Sequence, residues 1–328
     1  MKHLHCLMRS EAVEDFDALG DSIMASVRLR NLPALRSAKK LGWKVTFGEV
    51  IHGFPDVVVI GKIGVDGIAF RSQLWIREIV RVKKFTKIYL DYTDNHLLFN
   101  SPMNEFYRQV IKEVDGCIVP SIGMAELLNE YWSGFTFIIE DPIEIESREP
   151  KKYVNNPVTL FWFGHSRNIA SLVSLLSTRF QVGDYIKVIV LSDHAGLNYL
   201  ASSNLSSNAN FEFNLALWSL MNMVEAAKIA DVCIIPSDLN NPKKMGVSSN
   251  RLITALALGL PTAADNIPSY REFEGYYCDL RGEVFRELLE NPLRFSYMAK
   301  DAQTSLVYRF SMSKIESDWK TLFINSAS

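Results

Sequence analysis

Residues 231–265 read DVCIIPSDLNNPKKMGVSSNRLITALALGLPTAAD, and this stretch decides the fold. Val232-Cys233-Ile234-Ile235 is a short, continuous apolar run, as expected of a parallel strand buried on both faces, and Pro236 ends it. A polar loop with Lys243 and Lys244 follows. Ser248 and Ser249 are then placed to cap a helix whose buried face is Leu252, Ala255 and Leu256, with Gly259 as its stop. Thr262-Ala263-Ala264 starts the next strand. A helix start with free N–H groups beside two lysines is suited to hold an anion.

Outward from this stretch, apolar runs and helical periodicities alternate along the chain. Strands are expected at residues 3–8, 44–47, 57–60, 87–91, 116–119 and 135–139, with helices at 22–41, between 65 and 84, at 104–114 and at 124–131. The polar, proline-flanked residues 141–157, DPIEIESREPKKYVNNP, read as a linker. A second alternation follows: strands at 158–163, 187–191 and 211–213, helices at 168–176 and 217–229, then the opening stretch and a helical tail over 291–323. The expected fold is α/β: two Rossmann-like domains whose parallel sheets face each other across a cleft. The expected domains are 1–145 and 146–305, with 306–328 a helix crossing back to the first.

Composition narrows the function classes. With 328 residues and 48% of them hydrophobic, each half can bury a core of its own. A net charge of −2 argues against a nucleic-acid binder that works through a global basic surface. The four cysteines, Cys6, Cys117, Cys233 and Cys278, are scattered and read as buried thiols. No window is apolar enough to span a membrane and the first residues turn acidic quickly, so a cytoplasmic chain is expected. The nucleotide-binding Gly-x-Gly-x-x-Gly, the P-loop, Gly-x-Ser-x-Gly and Cys-x-x-Cys are all absent. Among six histidines only His3 and His5 share a metal-like spacing, so no metal site and no cofactor are expected.

Ala257-Leu258-Gly259-Leu260-Pro261, after a strand ending in Pro236-Ser237, resembles the donor-binding segment of GT-B glycosyltransferases, above all the family 4 enzymes of bacterial polysaccharide synthesis. Many members carry two glutamates before that phrase, the second gripping the donor ribose. Counting back from Pro261 puts Thr254 and Gly246 at those places. A sub-pattern, Ser-x-Asn-Lys, fits better as Ser248, Asn250 and Arg251. The resemblance implies a metal-independent glycosyltransferase that moves a sugar from a nucleotide-sugar to a glycan or lipid-linked acceptor. It implies a donor site of Gly164, Arg167, Lys243, Lys244, Ser248, Ser249, Asn250, Arg251 and Thr254. Asp94 and His96, after the strand at 87–91, are candidates for catalysis, with an Asx turn the alternative. Arg28 and Arg30 open the first helix in a phrase found in related enzymes, and at most one of them can meet an acceptor. Nucleic acid is not expected as a partner, while a peripheral membrane contact and the oligomeric state stay open. The absent glutamates also allow a GT-B-like binding or scaffold protein without catalysis.

Overall fold

A computed structural model describes residues 1–9, 16–22, 24–98, 100, 102–180, 185–205 and 208–326, and for Asp21, Pro102 and Lys243 the backbone only. The chain divides into two compact units. The first comprises Met1–Pro142, Asn241–Ser248 and Phe310–Ser328, and the second Ile143–Asn240 and Ser249–Arg309. Their elements alternate as expected for α/β folding. In order they are β1 (His3–Leu7), α1 (Leu32–Lys40), β2 (Lys44–Gly48), β3 (Val57–Ile60), α2 (Ile68–Val82), β4 (Lys87–Asp91), α3 (Pro102–Val110), β5 (Gly116–Val119), α4 (Ile122–Leu128) and β6 (Phe135–Ile138). There follow β7 (Thr159–Phe163), α5 (Ile169–Arg179), β8 (Ile186–Ser192), α6 (His194–Ala201), β9 (Phe211–Leu217), α7 (Leu220–Ile229), β10 (Val232–Ile235), α8 (Asn250–Ala257), β11 (Thr262–Ala264), β12 (Cys278–Asp279), α9 (Val284–Glu290), α10 (Ser296–Ser305) and α11 (Met312–Ser326).

The first unit holds a six-stranded parallel sheet ordered β2-β1-β3-β4-β5-β6. Because successive strand residues point to opposite faces, Leu4, Cys6, Val57 and Val59 pack with α1 and α11, while Leu7, Val58 and Ile60 pack with α2, α3 and α4. Both faces are covered, which is why these strands read as unbroken apolar runs. From α11, Ile315, Trp319, Leu322 and Phe323 complete the first of these cores, and Ser37 Oγ donates to the Glu316 carbonyl at 2.9 Å.

The second unit holds a six-stranded parallel sheet ordered β12-β11-β10-β7-β8-β9. Numbered within the unit, that is the 3-2-1-4-5-6 order of dinucleotide-binding folds, and the order reverses between β7 and β10. Ligands in such sheets bind outside the carboxyl ends of the strands at that reversal.

Helix α8 ends as its sequence requires. Gly259 has φ +77°, Gly259 N donates to Leu256 O at 3.0 Å and Leu260 N to Ala255 O at 3.1 Å, a Schellman ending. A Cβ at Gly259 would also sit 2.5 Å from the Arg148 carbonyl oxygen, because the segment after residue 142 runs against this turn. Arg148 N donates to Ala257 O at 2.8 Å, and Gln303 Nε2 donates to the carbonyls of Arg148, Leu256 and Ala257.

Three expectations need correction. Residues 214–217, assigned in part to a helix, extend strand β9 alongside all of β8, and α7 starts only after Ser219 accepts from Asn222 N. Helix α6, capped by Asp193, lies where no element was expected. The helix expected from residue 22 is regular only from Leu32, after a π-helical turn over Val27–Asn31 that carries Arg28 and Arg30. All four cysteines are free and buried, and among the described residues no helix is long and apolar enough to cross a membrane.

Candidate functional site

In the second unit, the carboxyl end of β7 leads into Gly164-His165-Ser166-Arg167, at the reversal point of the sheet. Ser166 N donates to Asp193 Oδ2 at 3.0 Å, and Gly196 N to Asp193 Oδ1 at 2.8 Å, so one carboxylate holds the loop and caps α6 together. Burial works against the Asp193 charge, but these N–H groups outweigh it and hold the carboxyl below its ordinary value. Arg167 is exposed on this loop.

Arg251, in the first turn of α8, reaches the same place. A Cβ built on Gly164 would lie 3.4 Å from Arg251 Nη1, and 3.1 Å from the Trp162 ring. Nη1 is buried and has no hydrogen-bond partner among the described residues. An unpaired, desolvated guanidinium nitrogen is costly, whereas an arginine facing a phosphate or carboxylate gains charge-assisted bonds. Its neighbours, the Cys233 thiol, pushed up to about 12 by burial, and buried Tyr270, supply no carboxylate. Gly164, lacking a Cβ, thus leaves room beside this buried Nη1. Beyond it, Asp265 accepts from Ser237 N at 2.8 Å and from Arg281 Nε at 2.7 Å, fixing the turn after β10.

The remaining donor candidates are distributed differently from the expectation. Ser249 stands at the N-cap position of α8, but its side chain makes no capping bond. Ser248 belongs to the first unit and hydrogen-bonds the Asp141 carboxyl. Asn250 opens α8 beside Arg251. Thr254 is buried, at 4% exposure. Lys244 is also in the first unit, close enough to Asp94 to lower its pKa, and the Lys243 side chain lies outside the described part of the structure. Gly246 has φ +81°, and a Cβ there would meet the Met124 Cα and the Leu127 Cδ1 at 3.0 Å. Ser121 Oγ, which caps α4, donates to the Gly246 carbonyl at 3.0 Å. A glutamate at 246 has no room, because this backbone is docked on α4.

In the first unit, the loops after β3 and β4 bring Lys62, Asp94 and His96 together. Lys62 Nζ is ion-paired with Asp94, and His96 Nε2 lies 3.8 Å from Asp94 Oδ2. Burial would raise the Asp94 carboxyl, but Lys62, then His96 and Lys244, bring it below its ordinary value. His96 is buried and stacked on Tyr107, with ring centroids 5.1 Å apart. Tyr92 fixes the loop: its hydroxyl donates to Asn95 Oδ1 at 3.0 Å and accepts from Leu97 N at 2.9 Å. The apolar-polar pattern could not have revealed Lys62, since its partner is thirty-two residues away in sequence.

Arg30 is held within the first unit. It is 2% exposed, donating to Asp91 through Nε at 3.1 Å and Nη2 at 2.6 Å, and through Nη1 to the Ile139 carbonyl and to Asp141 Oδ1 at 3.2 Å. Burial raises the Asp141 carboxyl against the pull of Arg30 and Ser248. Arg28 is also buried and donates to the Ser22 carbonyl at 2.5 Å. Of these two candidates, at most one of which was expected to meet an acceptor, Arg30 is engaged by Asp91, Ile139 and Asp141 and Arg28 by the Ser22 carbonyl.

No protein-family model matches the chain, and no curated protein matches it in sequence. Solved structures do match in fold. A sucrose-phosphate synthase from Thermosynechococcus elongatus superposes with a TM-score of 0.68 at 12% identity, covering 100% of both chains. An alpha-glucosyltransferase in complex with UDP and a 13-mer DNA containing a HMU base gives 0.62 at 11% identity, over 99% of both. TarM gives 0.60 at 13% identity, over 88% of this chain and 57% of its own. The chain therefore spans little more than half of TarM, and likewise 57% of the matched chain of the GtfA/B complex. The fold is GT-B, with two α/β units built on parallel sheets. The exclusion of nucleic acid suggested by net charge gains nothing from these neighbours, one of which was determined with DNA.

Proposed function

We propose that this chain is a glycosyltransferase that moves a sugar from a nucleotide-sugar donor to a glycan or lipid-linked acceptor, the second unit taking the donor and the first the acceptor. The observation that carries this reading is Arg251, whose buried Nη1 lacks an acceptor beside Gly164 at the reversal point of a dinucleotide-type sheet. A diphosphate there would satisfy it. Arg167 and the first turn of α8 would share the charge, so that protein cations and helix N–H groups, without a metal ion, neutralise the leaving group. Asp94, held ionised by Lys62, would accept a hydrogen bond from an acceptor hydroxyl, with His96 fixing the geometry. A donor of this kind is made in the cytoplasm, and the chain is assigned there.

Gly246 and buried Thr254 favour a second reading, a GT-B-shaped binding protein without turnover, since neither can supply the carboxylate of the family 4 pattern. A melting-shift screen of UDP, GDP, ADP, dTDP and CMP tests for the donor site, and turnover of the matching nucleotide-sugar then separates the readings. One nucleotide at about a hundred times its Kd should stabilise the protein by about 2.7 kcal/mol. Arg251→Met should weaken that nucleotide by about 1.5–3 kcal/mol without lowering the melting temperature of the ligand-free protein, because Nη1 makes no hydrogen bond within the fold. A protein that no nucleotide stabilises would leave the scaffold reading standing.

A further inference from the structure

Helix α2 carries one carboxylate, Glu78, and it is buried, accepting from Ile51 N at 3.1 Å and Arg81 Nη2 at 2.8 Å. The outward side of the helix therefore holds no acid. At helical spacing it presents Phe70, Gln73, Arg77, Val80, Arg81 and Lys84, all exposed. Phe70 is 74% exposed, and Phe85, just past the helix, is 71% exposed. Phe85 packs edge-on against the exposed Phe54 at 5.3 Å, and the Arg81 guanidinium lies over Phe54 at 5.6 Å, so the aromatic and basic groups form one connected surface.

The neighbouring cations divide into two groups. Arg71, Lys83 and Lys87 are paired with Glu49, Glu113 and Asp115. Arg77, Lys84 and Lys112 have no carboxylate partner among the described residues. Beside Val80 a cavity of about 180 Å³ opens between α2 and α3, walled by Ile76, Ile79, Val80 and Val110, with Lys112 and Glu113, the partner of Lys83, on its lining. In a chain of net charge −2, this is a local excess of unpaired positive charge around large apolar side chains.

We propose that this face lies on the headgroup layer of a membrane rich in anionic lipid. Phe70, Val80 and Phe85 enter the acyl boundary and Arg77, Lys84 and Lys112 meet the phosphates. The stripe from Phe70 to Phe85 is about 22 Å long at the helical rise, a helix lying along a surface and not crossing it. Charge complementarity commits the occupant: unpaired cations beside aromatics gain from a negative, amphipathic layer, whereas an apolar protein partner would leave Arg77 and Lys84 desolvated and unpaired. The proposal is independent of the glycosyltransferase reading, and vesicles without nucleotide or glycan test it alone.

The test is co-sedimentation of the full chain with vesicles of phosphatidylcholine, alone or with roughly a third phosphatidylglycerol. Binding is expected only with the anionic lipid, and loss of binding at about 1 M salt, where screening reaches about 3 Å. Arg77→Glu with Lys84→Glu, and separately Phe70→Ser with Phe85→Ser, should each lower the partition coefficient at least tenfold with an unchanged melting temperature, since all four side chains are exposed. No binding to anionic vesicles overturns the proposal, as does binding that neither double variant alters. So does a chain that ignores vesicles but forms dimers sensitive to Phe70→Ser with Phe85→Ser, or captures a DNA or RNA duplex through Arg77 and Lys84.

Discussion

Asp94 is held by Lys62, His96 and Lys244 below its ordinary pKa, which makes it a permanent anion at neutral pH and a weak proton acceptor. In the proposed reaction, Asp94→Asn should therefore cut turnover while leaving nucleotide affinity unchanged, and Lys62→Ala should let the Asp94 carboxyl rise, moving the acidic limb of the pH–rate profile upward. An unmoved limb would show that Asp94 does not meet the reacting groups. A second titration belongs to His5, buried in β1, where desolvation first, then His3 and His52, bring its pKa to about 4 against the pull of the Gly48 backbone and Glu78. A depressed folded pKa means that the unfolded chain binds more protons between about 6.5 and about 4, so stability falls as pH drops through that window, by roughly 3 kcal/mol at its foot. Denaturant titrations at steps of pH read this directly, and His5→Gln should flatten the slope. The residues themselves were only partly legible in the sequence. Gly259 announced a helix end because only glycine takes φ +77° there without strain, but Arg30 looked like a ligand contact because nothing local reveals Asp91 or Asp141. Replacing Arg30 with Met should cost about 3–5 kcal/mol, since buried Asp91 and partly buried Asp141 lose their counter-charge.

At the scale of elements, the central strands β3, β4 and β5 are buried on both faces and so write continuous apolar runs, and they fall where residues 57–60, 87–91 and 116–119 were expected. The edge of the second sheet and the helix beside it were read poorly. Strand β9, an edge strand in which only Phe211 is buried, runs into α7 with only Trp218 and Ser219 between them, and α6 offers a weakly amphipathic eight-residue pattern that a polar neighbourhood conceals. The opening stretch was legible as strand, loop, helix and strand, yet its loop could not reveal that residues 241–248 dock on α4. Helix α11 is the element on which the first unit's outer core depends. Trp319, fully buried between β1, α1 and the Arg30 guanidinium, should cost about 3–5 kcal/mol when replaced by Ala, and calorimetry should register the loss in the first unit's transition.

For the whole molecule, two parallel sheets with reversed strand order place loops, not strand interiors, where ligands are met. Both candidate clusters obey this: Gly164 and Arg167 follow β7, and Lys62, Asp94 and His96 follow β3 and β4. The fold could be read from the alternation alone, and solved structures at 11–13% identity share it. Identity that low carries no residue roles, so the chemistry rests on what the buried charges require. The most direct measurement is release of nucleoside diphosphate from each of a set of nucleotide-sugars, with water standing in as a poor acceptor. One nucleotide-sugar should be cleaved, slowly in the wild type and not measurably by Arg251→Met or Asp94→Asn. If nucleotide binds but no nucleotide-sugar is cleaved, with or without added glycan or lipid-linked acceptors, the chain is a GT-B-shaped binding protein and the catalytic account is wrong.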